Sequence, residues 1–403
     1  MNSLTRNIGN WFSYAAKVWR REFYLVTHDA GALIFFVLLP LFYPVVYTVI
    51  YNPEVVRDLP VAVVDNSRTA ESRELVRMLD ATPAIKLGGY AADMEEARTR
   101  MAEKDVFGVV EIPEDYARKI GRGEQVVVNF YSDMSLLLRY RSFVSALTDV
   151  QLATGAQIRQ ELMNQTGLSL AASSGSPINN EAYFLGDTEQ GFASFIIPGI
   201  VVLILQQSML LGITLLGGTA SERRRKNRGV DPMAIPGAPA SATVIGKAMC
   251  YTVIYLPLAI YILHFIPEWF NLPHEGSAVD YLLFIFPMLL ASSFLGLTLC
   301  RFVKEREMAF LLIVFTSVLL LFLSGLTWPR YAMSDLWHWV GDCIPVVWGV
   351  EGFIRINSNG ASLAENATAF YWLWGLSAVY FVLAWIYFRS LKRKARGVGN
   401  LNQ

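Results

Sequence analysis

The chain reads as an α-helical membrane protein: six transmembrane helices, a re-entrant helical hairpin after the fifth, and an α/β domain inserted outside the cytoplasm between helices one and two. Three observations predict this. Only 17% of the 403 residues are charged, where soluble chains carry about a quarter. Six uncharged apolar runs are each long enough to cross about 30 Å of hydrocarbon at about 1.5 Å per residue. Between the first two runs, stretch 52–190 switches to short strands alternating with helices, and it is long enough to fold as a domain.

Residues 1–29 come first. Leu4, Ile8, Trp11, Phe12, Ala15, Val18, Trp19 and Phe23 recur at helical spacing, while Arg6, Lys17 and Arg20 mostly occupy the remaining face. That pattern predicts an amphipathic elbow helix in the headgroup region of the cytoplasmic surface. A helix packed against a soluble partner is the alternative, and a partner at the membrane satisfies both.

The apolar runs are 31–51, 191–219, 248–266, 281–300, 308–326 and 369–388. Backbone amides find no hydrogen-bond partner in lipid, so each run is expected to be helical. The first is too long for the core of a signal peptide, and no A-x-A site follows it, so 30–51 reads as an uncleaved first span. Pro40, Pro44, Pro198, Pro257 and Pro287 interrupt these helices, as prolines in membrane helices often do.

Lys and Arg set the orientation. Arg223, Arg224, Arg225, Lys226 and Arg228 follow the second run; Arg301, Lys304 and Arg306 follow the fourth; Arg389, Lys392, Arg393, Lys394 and Arg396 follow the sixth. On the other side, 267–280 holds none, and 327–368 holds only Arg330 and Arg355. Short basic loops stay inside, which places both termini in the cytoplasm.

The external domain, 52–190, reads as strand 59–64, the turn Asp65-Asn66-Ser67, helix 70–79, strand 84–87, helix 92–103, strand 106–112 closed by Pro113, and helix 114–120. The turn Gly121-Arg122-Gly123, strand 125–131, a long helix 135–163 and a polar loop 164–190 complete it. Asp65 and Asp133 sit at strand ends as turn carboxylates, and no catalytic constellation emerges. Asn164-Gln165-Thr166 and Asn366-Ala367-Thr368 match the glycosylation triplet, a pattern frequent by chance. Cys250, Cys300 and Cys343 and the four scattered histidines show no metal-ligand spacing, so no metal is expected. Lys plus Arg and Asp plus Glu both total 34, and no nucleic-acid partner is expected.

Two segments carry the functional reading. The loop 220–247 contains Glu222, the run Arg223–Arg228, Gly229, Pro236 and Gly246-Lys247. The segment 327–350 follows Ser324-Gly325 and contains Trp328-Pro329 and Pro345; it is too apolar and irregular for a simple loop and reads as two short helices entering the outer leaflet and returning. Together these blocks resemble the permeases of type-2 ABC exporters, notably multidrug and lipid-like exporters with an inserted external domain. The resemblance covers nearly the whole chain through topology, and Val61–Ser67 and Gly108–Pro113 look like recurring phrases of the family's external domain. It departs at Gly229-Val230, where the family has Gly-Thr, and in the Arg-rich loop.

The resemblance implies coupling to an ATPase through Glu222, Arg224, Gly229, Pro236 and Lys247, with a short helix over 229–239 seated in a groove of that motor. It implies a re-entrant segment built on Ser324, Gly325, Trp328, Pro329 and Pro345. No G-x-x-x-x-G-K-[ST] loop occurs in the chain, so ATP and Mg are expected on a separate ATPase, in two copies, and no cofactor on this chain. The expected partners are those motors, a second permease copy or a sister permease, membrane lipid, and, on the outer side, a periplasmic adaptor. The expected place is the bacterial cytoplasmic membrane. Gln206 and Gln207 are the only adjacent strongly polar pair at mid-span, so at least one is expected to face a helix or a translocation path. Two rivals stand beside the exporter. A membrane-anchored scaffold or receptor would use the external domain to bind a protein; an ion-coupled transporter is disfavoured by runs without buried charge. An intramembrane enzyme lacks any motif here.

Overall fold

A computed structural model describes residues 2–51, 56–133, 137–166 and 191–400. The polar loop expected over 164–190 lies outside them from residue 167. The chain divides into two compact units, one formed by 1–52 and 184–403, the other by 53–183.

Among the described residues, the first unit contains six helices long and apolar enough to cross a membrane: Ala30–Tyr51, Phe192–Lys226, Ala240–Trp269, Ala278–Leu299, Arg306–Leu323 and Ala367–Ala395. Most outrun their apolar sequence, because a helix already paid for by the bilayer continues into polar residues while no Pro or Gly stops it. The fifth instead ends early, at Leu323. Gly325 adopts φ +90°, a conformation that β-carbon crowding disfavours for other residues. Helix α1, Asn2–His28, precedes the first span. It buries Ala15, Val18, Glu22 and Val26 and leaves Phe12, Phe23 and Tyr24 exposed, and it packs along the third span.

The second unit is a four-stranded sheet in the order β2-β1-β3-β4. Strand β1 (Leu59–Asp65) pairs in parallel with β2 (Ile85–Tyr90) and with β3 (Gly108–Ile112), while β4 (Asn129–Ser132) closes the edge antiparallel to β3. Helices α2 (Ala70–Asp80) and α3 (Met94–Ala102) make the crossovers. Side chains alternate across a strand, and here the alternation fills two cores. Val61, Val63, Val110 and Ile112 pack with α2 and with Phe143 and Leu147 of α5 (Leu137–Thr166), and with Tyr116 of α4 (Tyr116–Gly121). Ala62, Val64 and Val109 pack with Ala97 of α3. Asp65 is a turn residue, as its position suggested: its carboxylate accepts from the Ser67 and Arg68 amides and from Ser72 Oγ at 3.0, 2.9 and 2.7 Å.

Inside the membrane unit the second span is the axle. Its most apolar window is 83% buried, against 22% for the first and fifth spans. Neighbouring helices approach it over glycines, where small residues permit close backbone packing. The Phe36 ring of the first span lies where a β-carbon on Gly212 would go. The fifth span turns Leu311, Val314, Phe315, Val318 and Phe322 outward as one apolar stripe, the pattern of a lipid-facing helix. After it come a turn through Trp328-Pro329, helix α6 (Asp335–Asp342) and helix α7 (Pro345–Asn359). Val346, Val350, Phe353 and Ile356 of α7 are buried, and α7 packs against the second, fourth and sixth spans.

Candidate functional site

The basic residues that follow the second, fourth and sixth runs meet at one end of the bundle, and α1 lies among them. Ion pairs and hydrogen bonds hold this junction. Glu22 of α1, with 1% of its side chain exposed, pairs with Lys247 of the third span and accepts from Tyr251 Oη. Arg306, opening the fifth span, grips Asp29 with both guanidinium nitrogens, and its own amide donates to Glu222 Oε1 at 2.8 Å. Arg223 makes a two-nitrogen contact with Asp231 at 3.0 and 3.3 Å, with Arg21 of α1 at 3.8 Å from the same carboxylate. Lys392 of the sixth span donates to the Ala238 carbonyl and, at 2.9 Å, to Thr243 Oγ1. Close packing reinforces them: a β-carbon on Gly246 would sit 2.6 Å from the Ala15 carbonyl oxygen, so a larger residue would lift α1 off the third span.

The residues singled out in loop 220–247 therefore divide by role. Lys247 is a buried ion-pair partner. Glu222 caps the fifth span from the end of the second, a favourable place for negative charge because unpaired helix amides point there. Arg224 donates to Ser221 Oγ at 3.0 Å. Gly229 and Pro236 lie on the exposed turn. Arg223 and Arg225 spend their charge within the chain, on Asp231 and Glu305.

The short helix expected over 229–239 is not there. Residues 227–239 form successive turns, with Val230 N bonded to Asn227 O at 3.0 Å and Ala234 N to Asp231 O at 2.9 Å. Pro232, Pro236 and Pro239 each remove a donor and clash with a preceding carbonyl, and Gly229 and Gly237 take φ +88° and +72°. Val230, Pro232, Met233 and Pro236 are exposed along the turns.

Burial opposes ionisation of Asp231, but the Arg223 hydrogen bond and the Arg223 and Arg21 charges outweigh it and hold the carboxyl below its usual range. A depressed folded-state value means that its stabilising effect is present above the unfolded carboxylate range and is lost as pH falls through the folded value. Footprinting of loop 227–239 should thus be unchanged from pH 8 to 5 and open only below about 3.9, the ordinary Asp value. Opening already at pH 6 would show that the anchor is not Asp231.

A second polar cluster sits at α6 and α7. Arg330, 12% exposed, pairs with Asp342 and Glu351 and lies over the Trp348 ring at 4.7 Å. Glu351 also holds Arg355 at 2.7 Å. Ser324 ends the fifth span by donating to the Leu321 carbonyl, Gly325 turns the chain, Trp328 Nε1 donates to the Ala332 carbonyl at 3.1 Å, and Pro329 leads into the Arg330 turn while Pro345 opens α7. The sequence marked this segment but not its charge cluster.

Nor did it join the histidines. His264 Nδ1 lies 2.7 Å from His274 Nε2, and Tyr281 and Asn357 close the chain of contacts at 3.0 and 3.2 Å from His274 Nδ1. At mid-span, Gln206 Oε1 accepts from Ser292 of the fourth span at 3.0 Å, the helix–helix role. Neither amide atom of Gln207 has a partner among the described residues, though both are buried.

Six spans packed in one bundle about the second, with α1 and two loops ion-paired across one end, define a polytopic membrane protein. A family model described as ABC-2 family transporter protein matches residues 31–386. The chain belongs to that family and is an ABC-2 type permease, the membrane component of an ABC transport system. No curated protein matches it.

Proposed function

We propose that this permease is half of an ATP-driven exporter that moves an apolar or amphipathic molecule out of the cytoplasm or the inner leaflet of a bacterial cytoplasmic membrane. One observation carries the reading: an exposed apolar turn, Val230 to Pro236, is rooted by charge in three helices at once. Arg223 links it to the second span, Arg21 to α1, and Lys392 holds Ala238 to the sixth. A force on that turn would reach the bundle through these contacts. The basic loops place this end in the cytoplasm, where two ATPase subunits would carry ATP and Mg. A second permease copy or a sister permease would complete the membrane part, and the external domain would be free for a periplasmic adaptor. Helices α6 and α7 would enter the outer leaflet under cover of the second, fourth and sixth spans. The buried, unpartnered amide of Gln207 fits a path that is wet or substrate-lined in another state.

The test is replacement of 229–239 by a Gly-Ser linker in the permease reconstituted with its ATPase. Transport-linked ATP hydrolysis should fall to the level of the motor alone. Undiminished coupling, or a label at position 224 reached only from outside, would overturn the proposal.

A further inference from the structure

Between α1, the ends of the second and sixth spans and the start of the third lies a pocket of about 130 Å³. Arg21, Arg223, Arg224, Lys247 and Lys392 line it against two carboxylates, Glu22 and Asp231. Both carboxylates already have cationic partners: Lys247 and Tyr251 meet Glu22 at Oε1, leaving its Oε2 buried without a hydrogen-bond partner, and two nitrogens of Arg223 hold Asp231. Arg21 is left with a distant share of Asp231 at 3.8 Å, and its Nε is buried with no partner. Arg224 hydrogen-bonds two hydroxyls, Ser221 Oγ at 3.0 Å and that of Tyr387, and has no carboxylate within ion-pair distance among the described residues. The remaining wall is apolar, from Leu25, Leu297, Phe388 and Leu391.

Two guanidinium groups turned into a small, partly dry pocket carry a desolvation cost that an external anion would offset. Burial already pulls the Arg21 guanidinium below its ordinary value, against the charges of Glu22 and Asp231. Guanidinium forks match phosphate oxygens with two parallel hydrogen bonds, and the inner leaflet of a membrane presents anionic phosphate headgroups at its cytoplasmic surface. We propose that the pocket binds one phosphate-bearing anion, a phosphodiester headgroup or a free phosphate, between Arg21 and Arg224, with apolar walls that receive what the phosphate is attached to. Bound there, the anion would tie α1 to the end of the second span. It rests on the proposed function only for the side of the membrane this end faces.

The full chain, purified in a neutral detergent without any motor, is titrated with phosphatidylglycerol, phosphatidylcholine and inorganic phosphate, and read by native mass spectrometry and by thermal midpoint. Because no ATPase is present, failure here is separate from failure of coupling. Phosphatidylglycerol should bind at least tenfold more tightly than phosphatidylcholine, and Arg21→Gln with Arg224→Gln should remove that preference. Should that variant not fold, Arg21→Lys with Arg224→Lys keeps the charge, and it should retain anion binding with reduced affinity. Displacement of the lipid by millimolar phosphate, with equal stabilisation, would support the pocket and assign it to a free anion. Arg393 and Lys394 are exposed and outside the pocket; their Gln variants should bind as wild type. An equal loss from that control pair, or equal binding of both lipids, would overturn the proposal.

Discussion

Lys247→Met should be among the most damaging single substitutions in this chain, costing about 3–5 kcal/mol of stability, the range for removing one partner of a buried ion pair. The asymmetry of burial decides which half matters more. Glu22 has 1% of its side chain exposed and Lys247 has 15%, so a lone lysine can still reach water while a lone carboxylate cannot. The Glu22 that remains in Lys247→Met must take a proton or pull α1 away from the third span. Glu22→Leu alone should cost less, and Glu22→Leu with Lys247→Met should recover part of the loss, because an apolar pair of similar volume removes the unpaired charge. The Tyr251 hydroxyl that loses its acceptor still costs about 1–3 kcal/mol. Unfolding in detergent, followed by denaturant titration, checks this. If the double variant is as unstable as Lys247→Met, the charge pair is not the source of the effect.

Arg330→Met should come next, at about 3 kcal/mol or more by the same reasoning, since it leaves Asp342 beside Glu351 without the guanidinium that bridges them, Arg355 holding Glu351 alone. Side-chain exposure of Arg330 and Asp342 is 12% and 11%, so water cannot replace the guanidinium. Arg330→Lys should rescue little: an ammonium cannot bridge two carboxylates with a planar fork while lying flat on Trp348. Unfolding free energies of the two variants within about 1 kcal/mol of each other, from denaturant titration, would support that geometry; full rescue by Lys would reduce the site to a point charge.

The six spans were legible because a bilayer imposes a length that soluble folding does not, and the strand–helix alternation of 59–131 was legible from its turns. Helix ends were less so. Nothing in Arg223–Lys226 says whether a helix continues through it; the bilayer and the Glu305–Arg306 segment packed alongside decide. The helix expected over 229–239 came from resemblance, whereas Pro232, Pro236, Gly237 and Pro239 already argued for turns. Glu22 left a readable sign that passed unused. It falls in register with Ala15, Val18 and Val26 on the buried stripe of α1, where a carboxylate demands a partner. That partner, Lys247, lies too far along the chain for any periodicity to reveal. Separation along the chain likewise hid the meeting of His274 with Asn357 and of Arg330 with Glu351, which depend on how the fourth span, α6 and α7 stack.

The axle position of the second span has a consequence for biogenesis. Its neighbours, apart from the first span, are all synthesised after it. Gln206 finds Ser292 only when the fourth span emerges 86 residues later, on the order of 4–17 s at translation rates of about 5–20 residues per second. During that interval the insertion machinery must shelter a helix whose Gln206 amide and whose close-packing sites at Gly199 and Gly217 have nothing to meet.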